Sequence, residues 1–412
     1  MVATTGTTAM ERNSILVKAA FWATFFSIAL SVVSIAASQI LLGAALLALL
    51  LQGRRLSLPA YALPLGLYFL GTIIAGLASG TPALGMPQYK KFFVFLIVLC
   101  VANTFRCAVE VRNLLLTTIA ASALSASWSL VQYWRKWDYA DEHGIDFATS
   151  YIGSRITGFM SHWMTFSGHM MIAILALLAF ILFAVYRKKD WWWIVPAALL
   201  ITIALILAQT RAMWIGTAIG VIYLLWHRDK RMILALPFLA VAVYFISPEN
   251  VQQRALSIIH PRAALDSNSH RQATWAIGWE IVKAHPLLGI GPQMVKYRNK
   301  EFVPAWLGPL PEGYYEHLHN IYFQTAAERG IPTLLMLLWM LARIMRDAWR
   351  GLHTLPQGLG DARFILHAIL AIMLSILASG LFENNLGDSE VLLLFLGISQ
   401  CVYAVVPTTQ KS

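Results

Sequence analysis

About twelve apolar segments of roughly 20 residues each, spread along the whole chain, leave little choice of fold. They run approximately over 15–33, 35–51, 58–79, 91–105, 113–134 and 166–186, then 191–209, 211–227, 231–247, 331–349, 363–382 and 389–406. Backbone polar groups cannot stay open in hydrocarbon, so each segment must close its hydrogen bonds internally as a helix. The expected fold is an all-α polytopic membrane protein with one membrane domain over residues 1–412. Composition agrees: 58% of the residues are hydrophobic and 12% are charged, where a soluble domain carries about a quarter charged.

The net charge of +11 does not indicate nucleic-acid binding. The Lys and Arg residues are scattered through short loops between spans, as the positive-inside rule requires. Arg54-Arg55, Arg106 with Arg112, Arg187-Lys188-Lys189, Arg228/Lys230/Arg231 and Arg343/Arg346/Arg350 fall on one face if every span alternates. That face is expected to be cytoplasmic, with both termini on it. The other face then holds Lys90-Lys91, a smaller loop at 135–165, Arg211, and the Glu383–Asp388 turn. It also holds the longest polar stretch, an insert at 248–330 between the ninth and tenth spans. Cys100, Cys107 and Cys401 sit at or near cytoplasmic span ends and suggest neither a disulfide framework nor a metal cluster.

Within the insert, Ser267-Asn268-Ser269 read as the cap of a helix over His270 to Ala284, stopped by His285-Pro286. Trp275, Ile277 and Ile281 would give that helix an apolar side lying at the membrane interface. Gly289-Ile290-Gly291-Pro292 is a turn. A second helix is expected from about His317 to Glu328, ending at Gly330 in the C-cap position with Pro332 beyond.

Several chemistries are missing from the sequence. It has no glycine-rich Lys-Ser/Thr loop for nucleotide phosphates, no Asp-x-Asp pair and no His-Glu-x-x-His helix. The spans are nearly free of acids, which argues against an ion-coupled transporter. What remains is a cationic set on the insert face: Arg155, Arg211, Arg271, Lys91, His317 and His319. A guanidinium at a span end either snorkels to lipid phosphates or is held for a ligand. Several on one face, with few acids to pair them, suit a diphosphate, because the guanidinium fork binds phosphate oxygens bidentately. His319 is the base candidate, since its ordinary pKa lies near neutrality; the competing reading is a hydrogen-bonded structural histidine. On a helix, His317 two positions earlier would not share its face, and no metal site follows from the pair. Asn320 and Glu328, eight apart, would share a face as positioning groups, or serve in capping and packing.

The motifs occur in a particular order. Arg155-x-x-Gly158 is followed by Thr210-Arg211-x-x-x-x-Gly216, Ser269-His270-Arg271-x-x-x-Trp275 and His285-Pro286-x-x-Gly289-x-Gly291. Then come His317-x-His319-Asn320 and Glu328-x-Gly330. This series resembles the O-antigen ligase and polymerase superfamily of polytopic membrane glycosyltransferases, and within it the lipopolysaccharide O-antigen ligases. The resemblance implies a GT-C-like membrane glycosyltransferase in the bacterial inner membrane with a periplasmic active site. It implies an undecaprenyl-diphosphate-linked O antigen as donor, a sugar hydroxyl of lipid A-core as acceptor, and no cofactor, metal or nucleotide. Membrane lipids are the other implied partners.

In that scheme His319 is the general base, and Arg211 and Arg271 stabilise the departing diphosphate. Arg155, Lys91, His317, Asn320 and Glu328 are candidates for substrate binding. Direct attack by the acceptor would invert the anomeric centre. Three other functions fit the same class of chain. An O-antigen polymerase would extend another lipid-linked glycan. A protein O-oligosaccharyltransferase often carries a larger soluble C-terminal part than the few residues expected here after the last span. A lipid-linked sugar flippase would place charge in the middle of its spans.

Overall fold

The computed structural model describes residues 3–147, 154–258, 267–308, 316–356 and 360–406. Among the described residues there are helices and no strands. Among these residues six helices are long and apolar enough to cross a membrane: Ser14–Val32, Pro82–Thr104, Ala108–Glu142, Trp163–Phe183, Lys188–Leu207 and Gly360–Ser379. Ile35–Leu51, Ala62–Ala78 and Ser389–Val405 are shorter apolar helices. The three remaining expected spans also coincide with helices: Arg211–Asp229, Leu236–Ile246 and the second part of Ile321–Thr354. The protein is an all-α polytopic membrane protein.

Several boundaries differ from the sequence reading. The first part of the 135–165 loop is helical, because Ala108–Glu142 continues past residue 134. The ninth segment has only 11 residues of α-helix, Leu236–Ile246, after a 3-10 stretch at Lys230–Ala235. Its side chains face outward, with Phe238 78% and Ile246 85% exposed, as a lipid-facing helix requires.

Trp163–Phe183 and Gly360–Ser379 form the centre, with side chains buried along their whole length. Arg211–Asp229 packs on both. Gly216 and Gly220 allow this: a Cβ on Gly216 would meet the Ser375 carbonyl and the Ser379 side chain. Ile321–Thr354 packs on Ala62–Ala78, and Ser267–Ala284 packs on Ile321–Thr354.

The insert has its own small apolar core, in which Ile277, Ile281, Ile290, Leu318, Ala326 and Ala327 pack together. This corrects the expectation of an interface-lying helix. Ile277 and Ile281 are turned inward, 1% and 0% exposed. The apolar stripe found protein to bury against, and Trp279, 51% exposed, lies on the outside instead.

The second insert helix begins at Ile321, not near His317. Asn320 is its N-cap, and its side-chain oxygen accepts from the Tyr322 and Phe323 N–H groups, each at 2.9 Å. The helix is interrupted at Gly330 (φ 82°, ψ 162°) before the tenth span resumes. The freed carbonyls at this break are met by the Gly289–Pro292 turn. Ile290 N donates to Ala327 O at 2.9 Å, and Gly291 N to Glu328 O at 3.0 Å. Backbone touches backbone along this seam, so a Cβ on Gly289 would lie 2.5 Å from the Ala327 carbonyl.

Candidate active site

Leu318 explains the position of the two histidines. It is 2% exposed and sits in the insert core, while its N–H donates to Gln324 Oε1 at 2.8 Å. With Leu318 anchored inward, its two neighbours turn to the other side. The rings of His317 and His319 lie 3.9 Å apart, centroid to centroid. The sequence reading separated them because it assumed a helix; in a loop, residues i and i+2 can share a side. His319 has φ 48°, a backbone region that non-glycine residues adopt rarely and that is over-represented at functional sites.

Facing His319 is Glu383, in the turn that follows Gly360–Ser379. Its Oε1 is 3.1 Å from His319 Nδ1. Arg271, from Ser267–Ala284, approaches the same carboxylate with Nη2 3.4 Å from Oε2, and its Nε donates to the Phe382 carbonyl at 2.8 Å. Three further bonds hold this turn to the start of the capped helix. Asn320 Nδ2 donates to Leu381 O at 2.8 Å, Ile321 N to Gly380 O at 2.9 Å, and Tyr322 OH to Leu377 O at 2.7 Å. The Asn320 side chain is therefore used for capping and for docking the turn.

Glu383 is 3% exposed. Burial pushes its carboxyl up. The bond to His319 and the nearness of His317 and the Arg271 guanidinium outweigh that and hold it well below the usual carboxylate range. An ionised carboxylate that accepts the Nδ1 proton fixes the imidazole tautomer and leaves the Nε2 lone pair free to take a proton. Burial, followed by the neighbouring His319, pushes His317 down to about 4, so it is neutral at physiological pH. Two more histidines border the group: the His270 ring is 4.9 Å from that of His319, and burial pushes His162 down. His317, His319 and Glu383 each offer one ligand atom, and these atoms lie within 4.8 Å of one another.

The other sequence candidates lie around this centre. Arg155, 6% exposed, stacks over Trp163 at 4.6 Å, next to His162. Arg211, 4% exposed, donates from Nη1 to the Ser257 carbonyl and hydroxyl at 2.7 and 2.8 Å. Arg254 returns the contact by donating to Gln209 O at 3.2 Å. Lys91 and Glu328 come together elsewhere, with Gln88, Gln324 and Arg329, around a cavity of about 50 Å³ that Asn384 and Gly387 also line. There Lys91 Nζ donates to the Gly387 carbonyl, Gln324 donates to Glu328 Oε1 at 2.8 Å, and Arg329 Nη2 to Gln88 at 3.1 Å. The structure thus joins His317, His319 and Arg271 in one group, puts Lys91 with Glu328 in a second, and leaves Arg211 at the seam between insert and bundle.

The sequence reading passed over Glu383. The signal was there: a chain with 20 acidic residues among 412 places Glu383 and Asp388 in one short turn between apolar spans. Asp388 is also engaged, accepting from Thr165 Oγ1 at 2.8 Å, and burial is the main cause that pushes its carboxyl up to about 6.

Residues 196–338 match the family model described as O-antigen ligase (Wzy_C). This segment of the chain is similar to the O-antigen ligase superfamily. Members of this superfamily are glycosyltransferase-like ligases and polymerases that act on lipid-linked glycans. The matched segment contains Arg211, Arg271, His317, His319 and Gly330, and ends before Glu383. No curated protein matches the chain.

Proposed function

We propose that the protein is an O-antigen ligase: it moves an O-antigen glycan from undecaprenyl diphosphate to a sugar hydroxyl of lipid A-core, on the periplasmic side of the bacterial inner membrane. The observation that carries the proposal is the His319–Glu383–Arg271 group at the end of the bundle. His319 Nε2 takes the proton of the acceptor hydroxyl as its oxygen attacks the anomeric carbon. Glu383 holds the ring and stabilises the imidazolium that forms. The bond to the diphosphate breaks on the opposite face of the sugar, which inverts the anomeric centre.

Arg271 is the guanidinium assigned to the leaving diphosphate. Its Nε and Nη2 are occupied by Phe382 and Glu383, and Nη1 makes no hydrogen bond among the described residues, so it is available to a phosphate oxygen. Arg211, bonded to Ser257, is assigned to holding the insert over the site. Lys91 and Arg329 supply two more cations beside the Glu383–Asp388 turn, where phosphates of donor or acceptor would be held.

The test is a purified assay with lipid-linked O antigen and lipid A-core, without nucleotide. Capped lipopolysaccharide is the expected product. Longer lipid-linked chains would instead establish a polymerase, and no glycan transfer to any acceptor would remove the enzymatic reading.

A further inference from the structure

The histidine-rich centre has a property that glycan transfer does not use. His317, His319 and Glu383 set three ligand atoms within 4.8 Å of one another. Two imidazoles and one carboxylate suit zinc, copper and nickel, and three protein ligands with an open fourth position are a usual zinc arrangement. The histidine orientations favour this. His317 Nδ1 accepts from the His319 N–H at 3.3 Å, which fixes that ring and leaves Nε2 as its ligand atom. His319 turns Nδ1 toward Glu383 Oε1 at 3.1 Å. Arg271 sits on the other carboxylate oxygen, at 3.4 Å, and the Asn384 N–H donates to Oε1 at 3.2 Å, which leaves Oε1 its second lone pair for a metal.

We propose that His317, His319 and Glu383 form an inhibitory site for a divalent transition metal, zinc being the best fit. The binding step stands by itself; the inhibition rests on His319 being the base. The metal enters as the hydrated ion, loses waters, and bonds to His319 Nδ1 in the space where the Nδ1–H···Oε1 contact was. The proton that was on Nδ1 moves to Nε2. Nε2 then becomes a donor and can no longer accept the acceptor's proton. The same substitution removes Glu383 as the partner of the imidazolium. Arg271 beside Glu383 offsets the carboxylate's charge, which limits affinity and makes occupancy reversible.

The experiment uses the full chain, purified in detergent after chelator treatment, and titrated with zinc chloride by calorimetry and with cobalt(II) by visible absorption. One metal per chain is expected, with the intense visible cobalt bands of a tetrahedral site. His317→Ala and Glu383→Gln are each expected to weaken binding at least tenfold, with thermal melts confirming that they fold. His143→Ala, at an exposed histidine just past the end of Ala108–Glu142, is expected to leave binding unchanged. Zinc is expected to stop glycan transfer and EDTA to restore it. Absence of stoichiometric binding, or affinity unchanged in both ligand variants, overturns the site. Stoichiometric binding with transfer unaffected overturns the inhibition. If no transfer is found even without metal, the ligase reading fails, while the calorimetry still decides the site.

Discussion

Glu383 decides more at this site than any other single residue. Among the described residues it is the one buried acid shared by the base candidate and by an arginine. Glu383→Gln keeps the shape and removes the charge that favours the imidazolium. Transfer is expected to fall on the order of 10²–10⁴-fold, as for loss of a general base's orienting acid, with KM changed little. Steady-state rates in the purified assay measure this, and a variant within threefold of wild type would show that the carboxylate is structural.

Asp388, in the same turn, gives a pH effect. In the folded protein its pKa is raised to about 6 from the ordinary value of 3.8. The folded protein therefore binds the proton more tightly than the unfolded chain, and stability from this group is lost as pH rises from about 4 to 6. Asp388→Asn can still accept from Thr165 and has no charge to bury. Its melting temperature is expected to exceed that of the wild type at pH 7.5, and by less at pH 5. A gap of equal size at both pH values would contradict this. At this scale His319 and Arg271 were legible because short local motifs carry them. Glu383 was not: it lies 64 residues from His319, and one sequence alone does not reveal contacts at that separation.

At the level of elements, the seam between the Gly289–Pro292 turn and the break at Gly330 controls where the His317–Asn320 loop sits. The turn closes the helix end by backbone bonds from Ile290 and Gly291, and Ile331 N donates back to Pro286 O at 2.8 Å. Gly330 has φ 82°, and a Cβ there would run into the Leu287 carbonyl. Gly330→Ala therefore meets both unfavourable dihedrals, costing about 1–3 kcal/mol, and a backbone neighbour that cannot rotate away. The melting temperature is expected to drop and transfer to fall further than the lost folded fraction explains, because the capped helix shifts beneath His319. Thermal denaturation paired with transfer rates tests this; a variant with wild-type stability would show that the seam yields easily.

The sequence signalled this break correctly through Gly330 and Pro332. The start of the helix was misread, although Asn320 is a favoured N-cap residue, because the expected helix was carried back to His317. The inward face of Ser267–Ala284 was misread for a different reason. An apolar stripe shows that a face is buried, not whether lipid or protein covers it.

Across the whole molecule, Gly360–Ser379 links the two ends. Its 20 residues span about 30 Å, the thickness of a bilayer's hydrocarbon core. At its start, Asp361 pairs with Arg112 at 3.2 Å; just past its end, Glu383 pairs with Arg271 and His319. The twelve apolar segments were legible because hydrocarbon forces helix on any long apolar run, and which segments pack centrally was not, since lipid-facing and protein-facing helices are both apolar. The proposed orientation, with the insert in the periplasm, can be read from thiol labelling. Cys107 is exposed next to the Arg112 end, while Cys100 and Cys401 are buried. Trp306, in the insert, is 76% exposed. In spheroplasts, a membrane-impermeant maleimide is expected to label Trp306→Cys and to spare Cys107. After the membrane is permeabilised both should react, because the two positions then meet the reagent equally. Labelling of Cys107 in intact spheroplasts, with Trp306→Cys protected, would reverse the orientation and place the His319 group on the cytoplasmic side, against the proposed ligase.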